Sequence, residues 1–300
     1  MSDDQLRTLD EMLRDGPLDL GGELHEQRRL LVEMLTSIPL PDDVATTSGE
    51  LGGVPVITVD IHGAGGGGVV LYLHGGAYSM GTAQASLGLA SDVARRARAR
   101  AVTVDYRLAP EHPYPAALDD AVAAYQALLE TVDTAQVALV GESAGGGLVL
   151  ATLVALRERG IPLPSAAAVF SPWADLTLGG TTVTTKADVD VAVTAAGLRT
   201  RGSEYIGTND PTTPTISPVF ADLTGLPPLL IQAGSHEILL DDALRIAANA
   251  AVADVAVDLQ ITPGAPHVFQ GFAAILDAGD TALTAAGEFL RAHLGHGRAS

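Results

Sequence analysis

The pentapeptide Gly141-Glu142-Ser143-Ala144-Gly145 constrains this chain more than any other stretch, because of what lies on either side of it. Before it runs a short apolar segment, Val137 to Val140. After it, apolar residues recur at helical spacing from Ala144 to Arg159. A chain that passes from strand to helix through so few residues must double back sharply. Glycine at 141 and 145 permits the close backbone approach, and the serine between them is left at the tip of a strained turn.

The same alternation extends along most of the chain. Val54 to Ile61, Val69 to Leu73, Ala101 to Val104, Ala166 to Phe170, Leu229 to Ile231 and Val255 to Ile261 read as further strands. Helical periodicity fills Gln84 to Arg98, Ala116 to Thr131, Asp241 to Ala253 and Thr281 to His293. Arg98, Arg159 and Arg291 sit near helix C-termini, where the helix dipole favours a cation. Strands alternating with helices imply an α/β fold, a largely parallel sheet covered on both faces.

Two stretches fall outside this pattern. Residues 1–45 carry Leu6, Leu9, Met12 and Leu13, then Leu30, Leu31, Met34 and Leu35, the marks of two amphipathic helices. Residues 176–218 are rich in Thr and Gly and weakly helical around Asp188 to Tyr205. A structureless loop of that length is improbable inside a compact domain, so the segment reads as an inserted subdomain. Both pieces are expected to form a cap over a catalytic domain made of residues 46–175 and 219–300. The run Gly63 to Gly68 satisfies G-x-G-x-x-G but opens a strand instead of a helix, so it reads as a hairpin turn and not as a nucleotide site.

Composition removes several classes of function. The formal charge of −19 repels phosphate backbones and anionic lipid surfaces, so neither nucleic acid nor membrane is an expected partner. The absence of cysteine excludes a thiol nucleophile and thiolate metal sites. No apolar run is long enough to span a bilayer, and the polar, acidic start lacks the pattern of a secretory signal; a cytoplasmic location is expected.

Ser143 needs a base, because an unassisted hydroxyl is a poor nucleophile near neutral pH. The lone lysine, Lys186, cannot serve in an S-x-x-K motif, since position 183 is valine. In elbow-type hydrolases the acid and the histidine follow the serine on loops after later strands. His25, His62 and His112 precede it, and His293 and His296 belong to the C-terminal helix or its tail. His267, in a loop punctuated by Pro263, Gly264 and Pro266, is the expected base, with His236 a neighbour of the acid. Glu237, Asp241 and Asp242 all follow the penultimate strand. Glu237 is preferred as the acid, because the two aspartates suit the first turn of a helix. A second glycine turn, His74-Gly75-Gly76-Ala77-Tyr78, offers bare backbone N–H groups of the kind a tetrahedral oxyanion requires.

These motifs, with Asp105-Tyr106-Arg107-Leu108-Ala109-Pro110-Glu111-His112-Pro113-Tyr114-Pro115 and Ser171-Pro172-Trp173, span residues 72 to 269 in order. Together they resemble the hormone-sensitive lipase-like branch of the α/β-hydrolases, the bacterial esterases with an H-G-G loop. The resemblance implies a mostly parallel eight-stranded sheet with a helical cap, and a carboxylesterase that needs no metal and no organic cofactor. It implies a triad of Ser143, Glu237 and His267, and an oxyanion hole from the N–H groups of Gly75, Gly76 and Ala144. Ala77, Tyr78, Glu142 and Val268 are expected to border the substrate, and Arg107 and Glu111 to be scaffold. The expected substrate is a small, short-acyl ester, with a terpene-like lactone as the second choice. A non-catalytic receptor of the same fold is the remote alternative, disfavoured by the intact histidine. Relatives of this kind imply a homodimer through the last edge strand. The chain departs from the usual pattern at Ala77, where a third glycine is common, at Glu142, where Asp or Thr is common, and at Glu237, where Asp is more frequent.

Overall fold

The computed structural model of the protein describes residues 3–63 and 68–295; residues 64–67 of the glycine run and His296 lie outside the described residues. In chain order the elements begin with α1 (Asp3–Arg14), α2 (Leu24–Thr36), β1 (Val44–Leu51), β2 (Val54–Ile61), β3 (Val69–Leu73), α3 (Leu87–Ala97) and β4 (Arg100–Val104). There follow α4 (Ala116–Leu128), β5 (Val137–Glu142), α5 (Ala144–Glu158), β6 (Ala166–Phe170), α6 (Thr182–Thr185) and α7 (Ala195–Ile206). The chain closes with β7 (Leu229–Gly234), α8 (Leu240–Val252), β8 (Val257–Thr262) and α9 (Asp277–His293).

The eight strands form one sheet in the order β1-β2-β4-β3-β5-β6-β7-β8. The β1–β2 and β2–β4 pairs are antiparallel and every other pair is parallel. Strands β3, β5, β6 and β7 are buried along nearly their whole length, as strands covered on both faces must be. One apolar layer joins the sheet to α4, α5 and α8; the other joins it to α3 and α9. β8 is an edge strand, which is the edge the expected homodimer would use. Among the described residues no helix is long and apolar enough to cross a membrane.

Two expectations need correction. Val44–Leu51 is a strand, although its sequence, Val-Ala-Thr-Thr-Ser-Gly-Glu-Leu, shows no apolar alternation. As an outer strand with both faces largely in solvent it has no buried face to mark it. The boundary placed after residue 45 therefore cuts into β1. Strands β2 and β3 do not pair as the expected hairpin either, because β4 lies between them in the sheet; residues 64–67 of the run itself lie outside the described residues.

The N-terminal helices and the insert meet each other and the sheet domain. Leu6 and Leu9 of α1 pack with Ala265 and Phe269, on either side of His267 in the chain. From α2, Arg28 donates to the carbonyls of Ser79 and Ala109 and makes a bidentate pair with Glu111. Arg201 of α7 donates to the carbonyls of Leu20 and Gly22. Arg107 is held by Asp120, so both charges of the expected scaffold stretch have partners.

At the elbow, Ser143 has φ 54° and ψ −121°. A Cβ on Gly145 would stand 2.0 Å from the Leu73 carbonyl oxygen and 2.5 Å from that of His74. Neither carbonyl is free to retreat, since β3 is locked between β4 and β5. Gly145→Ala is therefore expected to destabilise the fold by on the order of 4 kcal/mol, read as a lowered midpoint in urea.

Candidate active site

Ser143, directly after β5, donates its N–H to the Phe170 carbonyl, while its own carbonyl accepts from Gly147 and Trp173. The nucleophile candidate is thus fixed to β6, to α5 and to the Ser171-Pro172-Trp173 turn at once. Its Oγ lies 2.9 Å from His267 Nε2, and His267 Nδ1 lies 2.6 Å from Glu237 Oε2. The other carboxylate oxygen, Oε1, accepts from the Gly234 N–H at 2.6 Å and from the Ser171 hydroxyl at 3.0 Å. Each sequence-expected member is therefore in hydrogen-bond contact with the next.

Glu237 is wholly buried, whereas Ser143 keeps 9% and His267 7% of their surface open. Burial alone would depress the His267 imidazole. The hydrogen bond and charge of Glu237, with the charges of Asp190 and Glu142, outweigh it and raise its pKa. An elevated pKa suits a group that must hold a proton in a transition state and release it afterwards.

Asp241 and Asp242 stand apart from this relay. Asp241 accepts from the N–H and hydroxyl of Thr181, and Asp242 from the N–H groups of Ala174 and Asp175 at 2.8 Å. They anchor the two ends of the segment that leads into the insert. His236 donates its backbone N–H to the Ala265 carbonyl.

The glycine loop before α3 differs in one respect from the expectation. The Gly75 N–H is occupied, donating to Glu142 Oε1 at 2.7 Å, so Gly75 has none to offer an oxyanion. Gly76, Ala77 and Ala144 have N–H groups with no protein partner among the described residues. Gly76 (φ 113°), Ala77 (φ 54°) and Tyr78 (φ 60°) all lie in the left-handed region. The loop is held there by Ser79 and Met80, whose N–H groups return to the Gly76 carbonyl. A Cβ on Gly76 would stand 2.3 Å from the Met80 carbonyl oxygen, which is why this position must be glycine. Ala77, where a third glycine is common, adopts φ 54° despite its methyl.

Two expected substrate contacts are engaged elsewhere. Both Glu142 oxygens are taken, one by Gly75 and one by the Tyr72 hydroxyl at 2.5 Å. The Tyr78 ring is stacked on Tyr205 of α7 at 3.9 Å between centroids and tilted against Trp173 at 5.9 Å. Val268 is half-buried beside the base, and its N–H is held by Ser171 Oγ.

Two residues brace the site without having been given a role from sequence: Ser171, quoted only within the Ser171-Pro172-Trp173 stretch, and Asp190. Ser171 (φ 45°) bonds both the Glu237 carboxylate and the Val268 N–H, and so ties the acid loop to the base loop. Asp190, in the insert, accepts the Ile238 N–H at 2.7 Å directly after the acid. Ser171 carried a signal, a polar residue closing an apolar strand before Pro172. Asp190 carried none, because the insert lacks periodicity.

A serine hydroxyl on a strand-to-helix elbow, in contact with a histidine that is itself held by a buried carboxylate, has the chemistry a serine hydrolase requires. Comparison with known proteins agrees. The alpha/beta hydrolase fold family matches residues 70–271. An acetyl-hydrolase of Streptomyces hygroscopicus is 44% identical over 232 residues, covering 77% of this chain and 78% of its own. An esterase of Acinetobacter venetianus is 37% identical over 224 residues, covering 74% of each. The crystal structure of an esterase from the bacterial hormone-sensitive lipase family, 42% identical, superposes with a TM-score of 0.94 over 98% of this chain and all of the other. The chain belongs to the α/β-hydrolase family, in its bacterial hormone-sensitive lipase-like branch, and is a carboxylic ester hydrolase.

Proposed function

We propose that the protein hydrolyses small esters of short acyl chains through an acyl-enzyme on Ser143. The observation that carries this reading is the unbroken contact from Ser143 through His267 to Glu237, with the unpaired N–H groups of Gly76, Ala77 and Ala144 beside it. Ser143 Oγ attacks the ester carbonyl as its proton passes to His267 Nε2. The carbonyl oxygen becomes an oxyanion held by the three N–H groups, and Glu237 stabilises the imidazolium. Collapse breaks the ester C–O bond, and the alcohol leaves with the proton from Nε2. Water then repeats the sequence on the acyl-enzyme, giving up a proton to His267 and releasing the carboxylic acid and free Ser143.

The restriction to short acyl groups is supported by the small open surface of Ser143 and His267 beneath a cap made of α1, α2 and residues 176–218. The names of the acetyl-hydrolase and esterase relatives point the same way. A panel of p-nitrophenyl esters from acetate to laurate, run beside a terpene-like lactone, tests it. We expect kcat/KM to be highest at acetate or butyrate and to fall at least tenfold by laurate; faster opening of the lactone than of any ester would overturn the reading.

A further inference from the structure

We propose that Glu142 is a positioning residue that fixes the oxyanion loop to the nucleophile elbow, so that one side chain sets the distance between Ser143 and the N–H groups meant to receive its product. The inference rests on the proposed function and deepens it. Glu142 is the last residue of β5 and directly precedes the nucleophile; Gly75 directly precedes Gly76 and Ala77. In the parallel pairing of β3 with β5, Leu73 faces Gly141, so Glu142 stands where the β3 chain turns away into its loop. Its Oε1 accepts the Gly75 N–H at 2.7 Å. Gly75 leaves room for this, because a Cβ there would come within 3.2 Å of that oxygen and 3.3 Å of the Glu142 Cγ.

The second oxygen is held by the Tyr72 hydroxyl on β3, so the carboxylate cannot swing away. Among the described residues no other side-chain hydrogen bond joins this loop to the elbow. The His74 carbonyl accepts from Tyr106 Oη at 2.6 Å and His74 Nδ1 contacts the Gly75 carbonyl, but neither contact reaches the elbow. Burial raises the Glu142 pKa to about 7, against the opposing effect of the bonds from Tyr72 and Gly75. The titratable groups around it are Tyr72 on β3, Tyr106 after β4 and His267 after β8. The negative form of Glu142 thus both accepts the Gly75 N–H and favours the His267 imidazolium.

The test compares wild type with Glu142→Met, which keeps the volume but has no strong acceptor, and with Glu142→Gln, which keeps the acceptor and removes the charge. Turnover of p-nitrophenyl acetate is measured from pH 5.5 to 9 per site titrated by an organophosphate, beside the affinity for a trifluoromethyl ketone that mimics the tetrahedral intermediate. Glu142→Met is expected to lose about 10- to 100-fold in kcat with little change in KM, and to bind the ketone correspondingly less tightly. Glu142→Gln is expected to recover kcat to within about threefold at pH 8, and its acid limb to move to lower pH because His267 has lost an anionic neighbour. Unchanged kcat per titrated site and unchanged ketone affinity in Glu142→Met would overturn the proposal. So would a Glu142→Gln enzyme impaired more than about tenfold per titrated site, an outcome that decides the matter even if the methionine variant fails to fold. Failure of the proposed function itself would show separately, as a wild type that neither turns over the ester nor is labelled.

Discussion

Ser143→Ala is expected to remain folded and to lose about a millionfold in kcat toward p-nitrophenyl acetate, a loss of the size seen when the nucleophile of a serine hydrolase is removed. The folded state survives because, among the described residues, the Ser143 side chain bonds only the imidazole, while its backbone carries the contacts to Phe170, Gly147 and Trp173. Alanine also meets no new obstacle at φ 54°, a strain that serine already bears. Catalysis does not survive, because among the described residues no other hydroxyl is in contact with His267 Nε2. The residual rate should be that of a site which still orients an ester and polarises its carbonyl. Two measurements check this: steady-state turnover and the mass shift on organophosphate treatment, which should be present in wild type and absent in the variant. More than one per cent of the wild-type rate, with the mass shift retained on another residue, would remove Ser143 from its role.

Glu237→Gln is expected to cost on the order of 10,000-fold in kcat while leaving the protein folded. The reason lies in the donors that surround the carboxylate. Oε1 faces the Gly234 N–H and the Ser171 hydroxyl, so a glutamine would place its carbonyl oxygen there and turn its NH2 toward His267 Nδ1. Nδ1 would then accept rather than donate, the ring proton would move to Nε2, and Nε2 could no longer take a proton from Ser143. Asp241→Asn provides the contrast. That carboxylate contacts Thr181 and no member of the relay, so its loss should change kcat by less than about fivefold. If activity survived in Glu237→Gln and vanished in Asp241→Asn, the two assignments would have to be exchanged.

Much of this was legible in the sequence because strain and burial leave marks on residue type. An elbow that brings Gly145 against the carbonyls of Leu73 and His74 can tolerate only glycine, so the turn is written into the chain. Strands β3, β5, β6 and β7, covered on both faces, appear as short apolar runs. Order along the chain then pointed to His267 and Glu237 as the residues now found in contact with each other. What escaped has a physical reason in each case. β1 lacks a buried face, so alternation could not reveal it. The register of free donors in the H-G-G loop was misjudged by one residue, because Glu142 reaches back to take the Gly75 N–H. That contact joins two turns far apart in sequence, and neither turn alone announces it. Asp190 went unnoticed because an isolated aspartate in an aperiodic insert looks like any solvated charge until Ile238 is found beside it.

The contacts of α1 and of Asp190 bear on how such a scaffold can be re-engineered. α1 packs against the residues on either side of the base, and the insert bonds the backbone next to the acid. Both segments, which belong to the proposed cap, therefore buttress the two loops that carry Glu237 and His267. Grafting a covering segment from a relative to alter selectivity would, in this chain, disturb the proton path as well unless counterparts of Leu6, Leu9 and Asp190 travelled with it. With these segments as the proposed cap, a library that varies them alone is expected to change turnover along with substrate range.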